Sequence, residues 1–327
     1  MIQRREFITL LSGAATWPLA ARAQQPAMPV IGLLSARSQA EGAVMAAAFR
    51  QGLSEAGFVE GRNVAIENRW AEGHFDRLPA LAEELVRRKV AVIAAISGTP
   101  AALAAKGATT SIPIVFANGG DPLASGLVAS LNRPIGNMTG VTFYSVVLVG
   151  KSLDLMHAAV PTAVAMGYLT NRDNPPNNIG IRDAETAARA LGLHLHVLNA
   201  SSESEIDAAF TTLHERNVGT LMVGNDPLFF SFPVKLVELA ARYAIPAVYN
   251  ERVFVEAGGL MSYGSRQNDA YREGGIYAGK ILQGAKPEEL PVMLPTKFEL
   301  IINLKTARAI GLTISRDILL IADEVIE

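Results

Sequence analysis

From Pro29 onward, short apolar runs alternate with longer stretches whose apolar residues recur every three or four positions. The short runs have strand length. They are Val30–Leu34, Val64–Trp70, Val90–Ile96, Ile112–Ala117 and Met138–Phe143, then Ala163–Leu169, His194–Leu198, Thr220–Val223, Ala247–Tyr249 and Leu260–Tyr263. Helices are expected between them. Gln39–Ala56 sets Val44, Ala48, Phe49, Gly52, Leu53 and Ala56 on one face, and Gly57 closes it. Asp76–Lys89 turns Leu78, Leu81, Ala82, Leu85 and Val86 inward. Thr99-Pro100 and Asp121-Pro122 each place a capping residue before a proline, which is a helix start. Ser202 to Glu205 has capping-box spacing. The strands are continuously apolar, as in a parallel sheet covered by helices on both faces. Two such series of similar length predict an α/β fold of two doubly wound lobes.

The N-terminus breaks this pattern. Arg4-Arg5 precede an apolar run from Phe7 to Ala20, which ends at Ala21-Arg22-Ala23. A charged head, a short apolar core and a small-x-small site form an export signal, with cleavage expected near Ala23-Gln24. Arg4-Arg5-Glu6-Phe7-Ile8 resembles the twin-arginine export motif. The run is shorter than the ~20 residues of a spanning helix, and Gly13 and Pro18 interrupt it. Residues 1–23 are therefore read as a signal and the remainder as a periplasmic chain.

Composition narrows the chemistry. The 327 residues are 50% apolar and 18% charged, with a formal net charge of −2. That is enough chain for two cores and too little positive charge for a general nucleic-acid binder. The absence of Cys excludes disulfides, thiolate metal sites and a lipid-modified N-terminal cysteine.

In open parallel sheets, ligands bind at the carboxyl ends of the strands. In the first series those ends carry Ser35, Arg37, Trp70, Ser97, Thr99, Asn118, Asp121 and Thr142. In the second they carry Asn171, Arg172, Asn225, Asp226, Glu251 and Tyr263. Several precede a helix, where free backbone N–H groups suit an anion. Ser97, Thr99, Thr142 and the backbone after Asn118 suit a carboxylate. Asp121, Asp226 or Glu251 suits an ammonium, unless it merely caps a turn. Phe116, Phe143, Tyr144, Phe229 and Tyr249 join Trp70 and Tyr263 as candidate aromatic lining. Thr99, Asp121, Asn171 and Asp226 rank highest.

The twin-arginine leader, IGLLSARS, GFVEGRNVAIENRWAEG and IPIVFANGGDPLASGLVASLNRPIGNMTGVT carry a family resemblance, supported by IPAVYNE, GGLMSYG and FELIINLKTARAIGL. The chain resembles ABC-transporter substrate-binding proteins of the type I periplasmic binding fold, in the family that includes aromatic amino-acid receptors. The resemblance implies two Rossmann-like lobes joined by a three-crossing hinge. They close on a small solute and deliver it to a membrane permease. It places residues 24–143 and 264–285 in lobe 1, and 144–263 and 286–327 in lobe 2. It implies a monomer with no cofactor and no catalytic residue.

Other chemistries fit less well. Val149-Gly150-Lys151-Ser152 ends like a phosphate-binding loop, but Ser145 stands where the motif needs Gly. No Gly-x-Gly-x-x-Gly follows the first strand and no Gly-x-Ser-x-Gly occurs. His194 and His196 share a strand face without a nearby third ligand. A periplasmic sensor of the same fold is the main alternative. The expected function is capture of an amino acid or a small aromatic or branched carboxylate.

Overall fold

The computed structural model describes residues 28–143, 148–174, 177–295 and 297–327. The leader, Tyr144 and Ser145 lie outside them. The first unit runs β1 (Val30–Ser35), α1 (Gln39–Glu55), β2 (Ala65–Trp70), α2 (Leu78–Arg87), β3 (Val92–Ile96), α3 (Thr99–Ala108), β4 (Ile114–Asn118) and β5 (Met138–Thr142). Its sheet is parallel, in the order β2-β1-β3-β4-β5.

The second unit runs α4 (Val149–Ala159), β6 (Ala165–Thr170), α5 (Asn177–Leu191), β7 (His194–Asn199), α6 (Glu203–Glu215), β8 (Thr220–Val223), α7 (Pro227–Ser231), α8 (Pro233–Arg242), β9 (Ala247–Tyr249), α9 (Arg252–Glu256) and β10 (Met261–Ser265). The chain then forms α10 (Gln267–Leu282), β11 (Phe298–Asn303), α11 (Leu304–Ala309), α12 (Arg316–Leu320) and β12 (Glu324–Ile326). The second sheet has the order β12-β11-β10-β9-β8-β6-β7. Its pairs are parallel except β10 with β11. The sheet is therefore mixed, because β11 arrives after a return to the other lobe.

Helix α10 follows a strand of the second sheet yet packs on the first. Its Tyr271, Tyr277 and Ile281 share a core with Phe49 and Leu53 of α1. The backbones touch: a Cβ on Gly275 would lie 2.0 Å from the Phe49 carbonyl oxygen. Helix α1 buries Phe49, Gly52 and Leu53 of its expected face and extends that face on its N-terminal side. Met45 and Ala46 are buried, while Val44 is 62% exposed.

Residues 286–293 also sit with the first sheet rather than the second. Met293 N–H donates to the Gly140 carbonyl (3.0 Å), and Thr142 N–H donates to the Met293 carbonyl (2.9 Å). The third crossing thus falls after Met293, several residues beyond the expected boundary. Thr139 Oγ1 donates to the Leu290 carbonyl (2.6 Å), Tyr277 Oη donates to the Pro291 carbonyl (2.7 Å), and Val292 is buried there as well. Ser265 Oγ donates to the Phe143 carbonyl (3.0 Å) and ties two crossings together. Asp121-Pro122 opens turns instead of a helix.

Candidate functional site

The ends of β1, β3 and β4 face the ends of β6 and β8 across the gap between lobes. A cavity with about 370 Å³ of empty space, mouth included, lies there.

The first lobe supplies hydroxyls, backbone and rings. Ser97 and Gly98 line the cavity in the left-handed region, at φ +68° and +123°. Gly tolerates such a φ, whereas Ser is strained, and strain of this kind concentrates at binding sites. Ser97 Oγ is held 2.6 Å from Ser35 Oγ. No side chain caps α3 at Gly98, so its first N–H groups are left to other partners. Asn118 Nδ2 donates to Thr99 Oγ1 (3.2 Å). Thr142 Oγ1 donates to the Gly120 carbonyl (3.0 Å) and shapes the Gly119-Gly120 wall. Phe143 and Tyr271 meet edge to face at 5.9 Å and complete this side.

The second lobe supplies amides. Asp226 is fully buried and accepts from Asn171 Nδ2 (3.1 Å), Asn174 Nδ2 (2.8 Å), Asn177 Nδ2 (3.1 Å) and Leu228 N–H (2.9 Å). Burial pushes its carboxyl above the ordinary range, and these four bonds pull the other way. Asp226 thereby caps α7 and sets Asn174 and Asn177, which reach the cavity with Asn225, Pro227 and Phe230.

Two groups cross between lobes. The Arg37 guanidinium lies 4.2 Å from the centre of the Phe230 ring. Gly98 faces Pro227 closely enough that a Cβ would approach its Cγ to 3.2 Å. Arg37 and Phe230 also line a larger adjoining crevice, with about 1550 Å³ of empty space including its open mouth. Glu251 lines that crevice. Burial pushes its carboxyl up to about 7; the Arg37 charge opposes the shift and Glu256 adds to it.

The sequence-predicted residues divide accordingly. Arg37, Ser97, Thr99 and Asn225 line the cavity. Ser35, Asn118 and Thr142 stand behind it and bond to its wall or to one another's neighbours. Asn171 and Asp226 are buried in a network of their own. The remainder lie elsewhere. Trp70 packs beside Gly42 of α1, because β2 is an edge strand. Asp121 accepts from Leu123 N–H (2.8 Å) and Ala124 N–H (3.1 Å), the bland cap reading. Arg172 is exposed, and its N–H donates to Asn199 Oδ1 (2.7 Å). Tyr263 packs near Phe298 (6.2 Å). Phe116, Phe229 and Tyr249 are core.

Sequence reasoning missed Asn174, Asn177, Pro227, Phe230 and Tyr271. The asparagine-rich stretch after β6 was a usable signal. Tyr271 sits inside a helix, where nothing local marks it.

Val149-Gly150-Lys151-Ser152 lies inside α4, with Val149 and Ser152 buried. Among the described residues no group of three or more His, Cys, Asp or Glu is placed to hold a metal, and no helix is long and apolar enough to cross a membrane.

Comparison with known proteins gives a consistent picture. A tyrosine-binding protein of Clostridioides difficile is 28% identical over 264 residues, covering 81% of this chain and 75% of that protein. The structure of a Streptococcus pneumoniae ABC domain in complex with L-Trp superposes with a TM-score of 0.84 at 26% identity, covering 91% of this chain and 99% of that one. The ligand-free, open structure of a Clostridium difficile substrate-binding protein with adhesive properties gives 0.65 at 25% identity over the same shares. Residues 37–326 match the family described as ABC transporter substrate binding protein. The chain is a member of that ABC transporter substrate-binding protein family.

Proposed function

We propose that this chain is a periplasmic receptor that captures an aromatic amino acid or a related small carboxylate between its lobes and presents it to an ABC permease. The observation that carries the reading is the make-up of the interlobe cavity. The start of α3, without a side-chain cap, and Arg37 line it together with three aromatic rings, Phe143, Tyr271 and Phe230. A carboxylate fits the N–H groups of α3 beside the guanidinium. A ring fits among the aromatics. The carboxylate left for an ammonium is Glu251, since Asp226 is already saturated by four donors.

The lobes are close together, as Arg37 over Phe230 and Gly98 against Pro227 require. The higher TM-score against the L-Trp complex than against the open relative fits the same closed state. Closure dries the polar contacts and so strengthens them. The chain then acts by binding without turnover, as a monomer. Its twin-arginine leader takes it to the periplasm.

The test uses the protein purified from Gln24 and a thermal-shift panel of aromatic and branched amino acids, aryl carboxylates, sugars, polyamines and nucleosides. Ligand at 100 times its Kd adds ~2.7 kcal/mol, which raises the midpoint by roughly 5–10 °C at this size. Response to sugars or nucleosides alone sinks the proposal, and so does a new product in the mixture.

A further inference from the structure

The two cavities hold their charges in separate compartments. Ser97, Gly98 and Thr99, with the start of α3, line only the smaller one. Glu251 lines only the larger one. Arg37 and Phe230, in contact at 4.2 Å, line both and form the wall the two cavities share. A carboxylate at the start of α3 and an ammonium on Glu251 would thus lie in adjoining cavities, on either side of Arg37 and Phe230.

The wall of the larger crevice shows what belongs between those ends. Asn250 is 4% exposed, and neither its Nδ2 nor its Oδ1 has a hydrogen-bond partner. Gln267 is 4% exposed as well. Its Oε1 accepts from Tyr271 Oη (3.3 Å), and its Nε2 has no partner. Arg37 Nε is also unpartnered, in a residue 8% exposed. Both amide residues line the larger crevice. Buried polar groups left unpaired cost about 1–3 kcal/mol each, so three of them around one empty space mark a missing ligand group. The open set is two amide N–H donors beside one amide carbonyl acceptor. Its complement is another amide: a C=O to accept from Asn250 Nδ2 and Gln267 Nε2, and an N–H to donate to Asn250 Oδ1.

We infer that the larger crevice is a peptide-group subsite, and that the preferred solute is a dipeptide with an aromatic C-terminal residue. The inference rests on the receptor reading given above and extends it. The C-terminal carboxylate lies at Arg37 and the start of α3, its side chain among Phe143, Phe230 and Tyr271, the peptide group on Asn250 and Gln267, and the N-terminal ammonium on Glu251.

Calorimetric titration of the protein with L-Tyr and with Ala-Tyr tests this. Ala-Tyr is expected to bind at least tenfold tighter than L-Tyr, and Asn250→Leu to bring that ratio to about one. Asn250→Asp, which keeps the shape, serves as a second variant if the thermal midpoint of Asn250→Leu collapses; it removes the Nδ2 donor and should also narrow the ratio. L-Tyr binding as tightly as Ala-Tyr, or tighter, overturns the dipeptide inference and leaves the receptor reading standing. A ratio untouched in both variants overturns the peptide-group subsite. Failure of both probes to bind overturns the inference together with the aromatic-carboxylate reading beneath it.

Discussion

Asp226 and Glu251 look alike in sequence. Each is an acidic residue just after a strand of the second lobe, and each is drawn out of water. In the structure they are opposites. Asp226 accepts four hydrogen bonds, three of them from asparagines. Glu251 has only the opposing charge of Arg37 to set against its burial. A saturated carboxylate has no capacity left for a ligand and holds its own lobe together. An unsaturated one bears a desolvation cost that a bound cation relieves.

The largest effect expected from this contrast is on stability. Asp226→Ala strands three buried amides and uncaps α7. Removing one partner from a buried charged network costs about 3–5 kcal/mol, and each kcal/mol lowers the midpoint by roughly 2–4 °C. Thermal unfolding of the empty protein reads it. A variant with an unchanged midpoint and abolished binding would make Asp226 a ligand contact and erase the contrast.

Next in size is the effect of Glu251 on affinity. A hydrogen bond to a charged group contributes roughly 1.5–3 kcal/mol, so Glu251→Gln should weaken an ammonium-bearing solute about 10–100-fold. The corresponding carboxylate without its amino group should lose nothing. Equal losses for both would place the ammonium elsewhere.

The pH profile sharpens the same point. Glu251 in the empty protein titrates near 7, well above the ordinary 4.5. A bound ammonium favours the ionised form, so affinity should rise with pH up to about 7 and level above it. At pH 6 the loss relative to the plateau approaches tenfold, and Glu251→Gln should flatten the profile. The stability of the empty protein runs the other way. A carboxyl with a raised folded pKa stabilises fully below the unfolded value, and that contribution is lost as pH climbs from 4.5 through 7.

The contrast also shows what was legible in the sequence. Strand–helix alternation and the polar strand ends were readable, because backbone periodicity and capping are local. Hence Ser97, Thr99 and Asn225 fall in the cavity. Whether a carboxylate is already paired is not local. The asparagine partners of Asp226 lie 49 to 55 residues away. Tyr271 reaches the cavity only because α10 returns to the first sheet, and Trp70 misses it because β2 became an edge. The antiparallel β11 was hidden for the same reason, since its pairing depends on where the third crossing falls.

The smallest expected effect concerns the third acidic candidate. Asp121 caps its turn through Leu123 and Ala124, at a half-buried position that lines neither cavity. Losing such a cap costs about 1 kcal/mol, or roughly 2–4 °C in the midpoint. Asp121→Ala should therefore lower the midpoint slightly and leave the Kd for the solute where it was. If the Kd moves by tenfold while the midpoint stays fixed, Asp121 acts on the ligand, and the division between capping and binding carboxylates has to be redrawn at the end of β4.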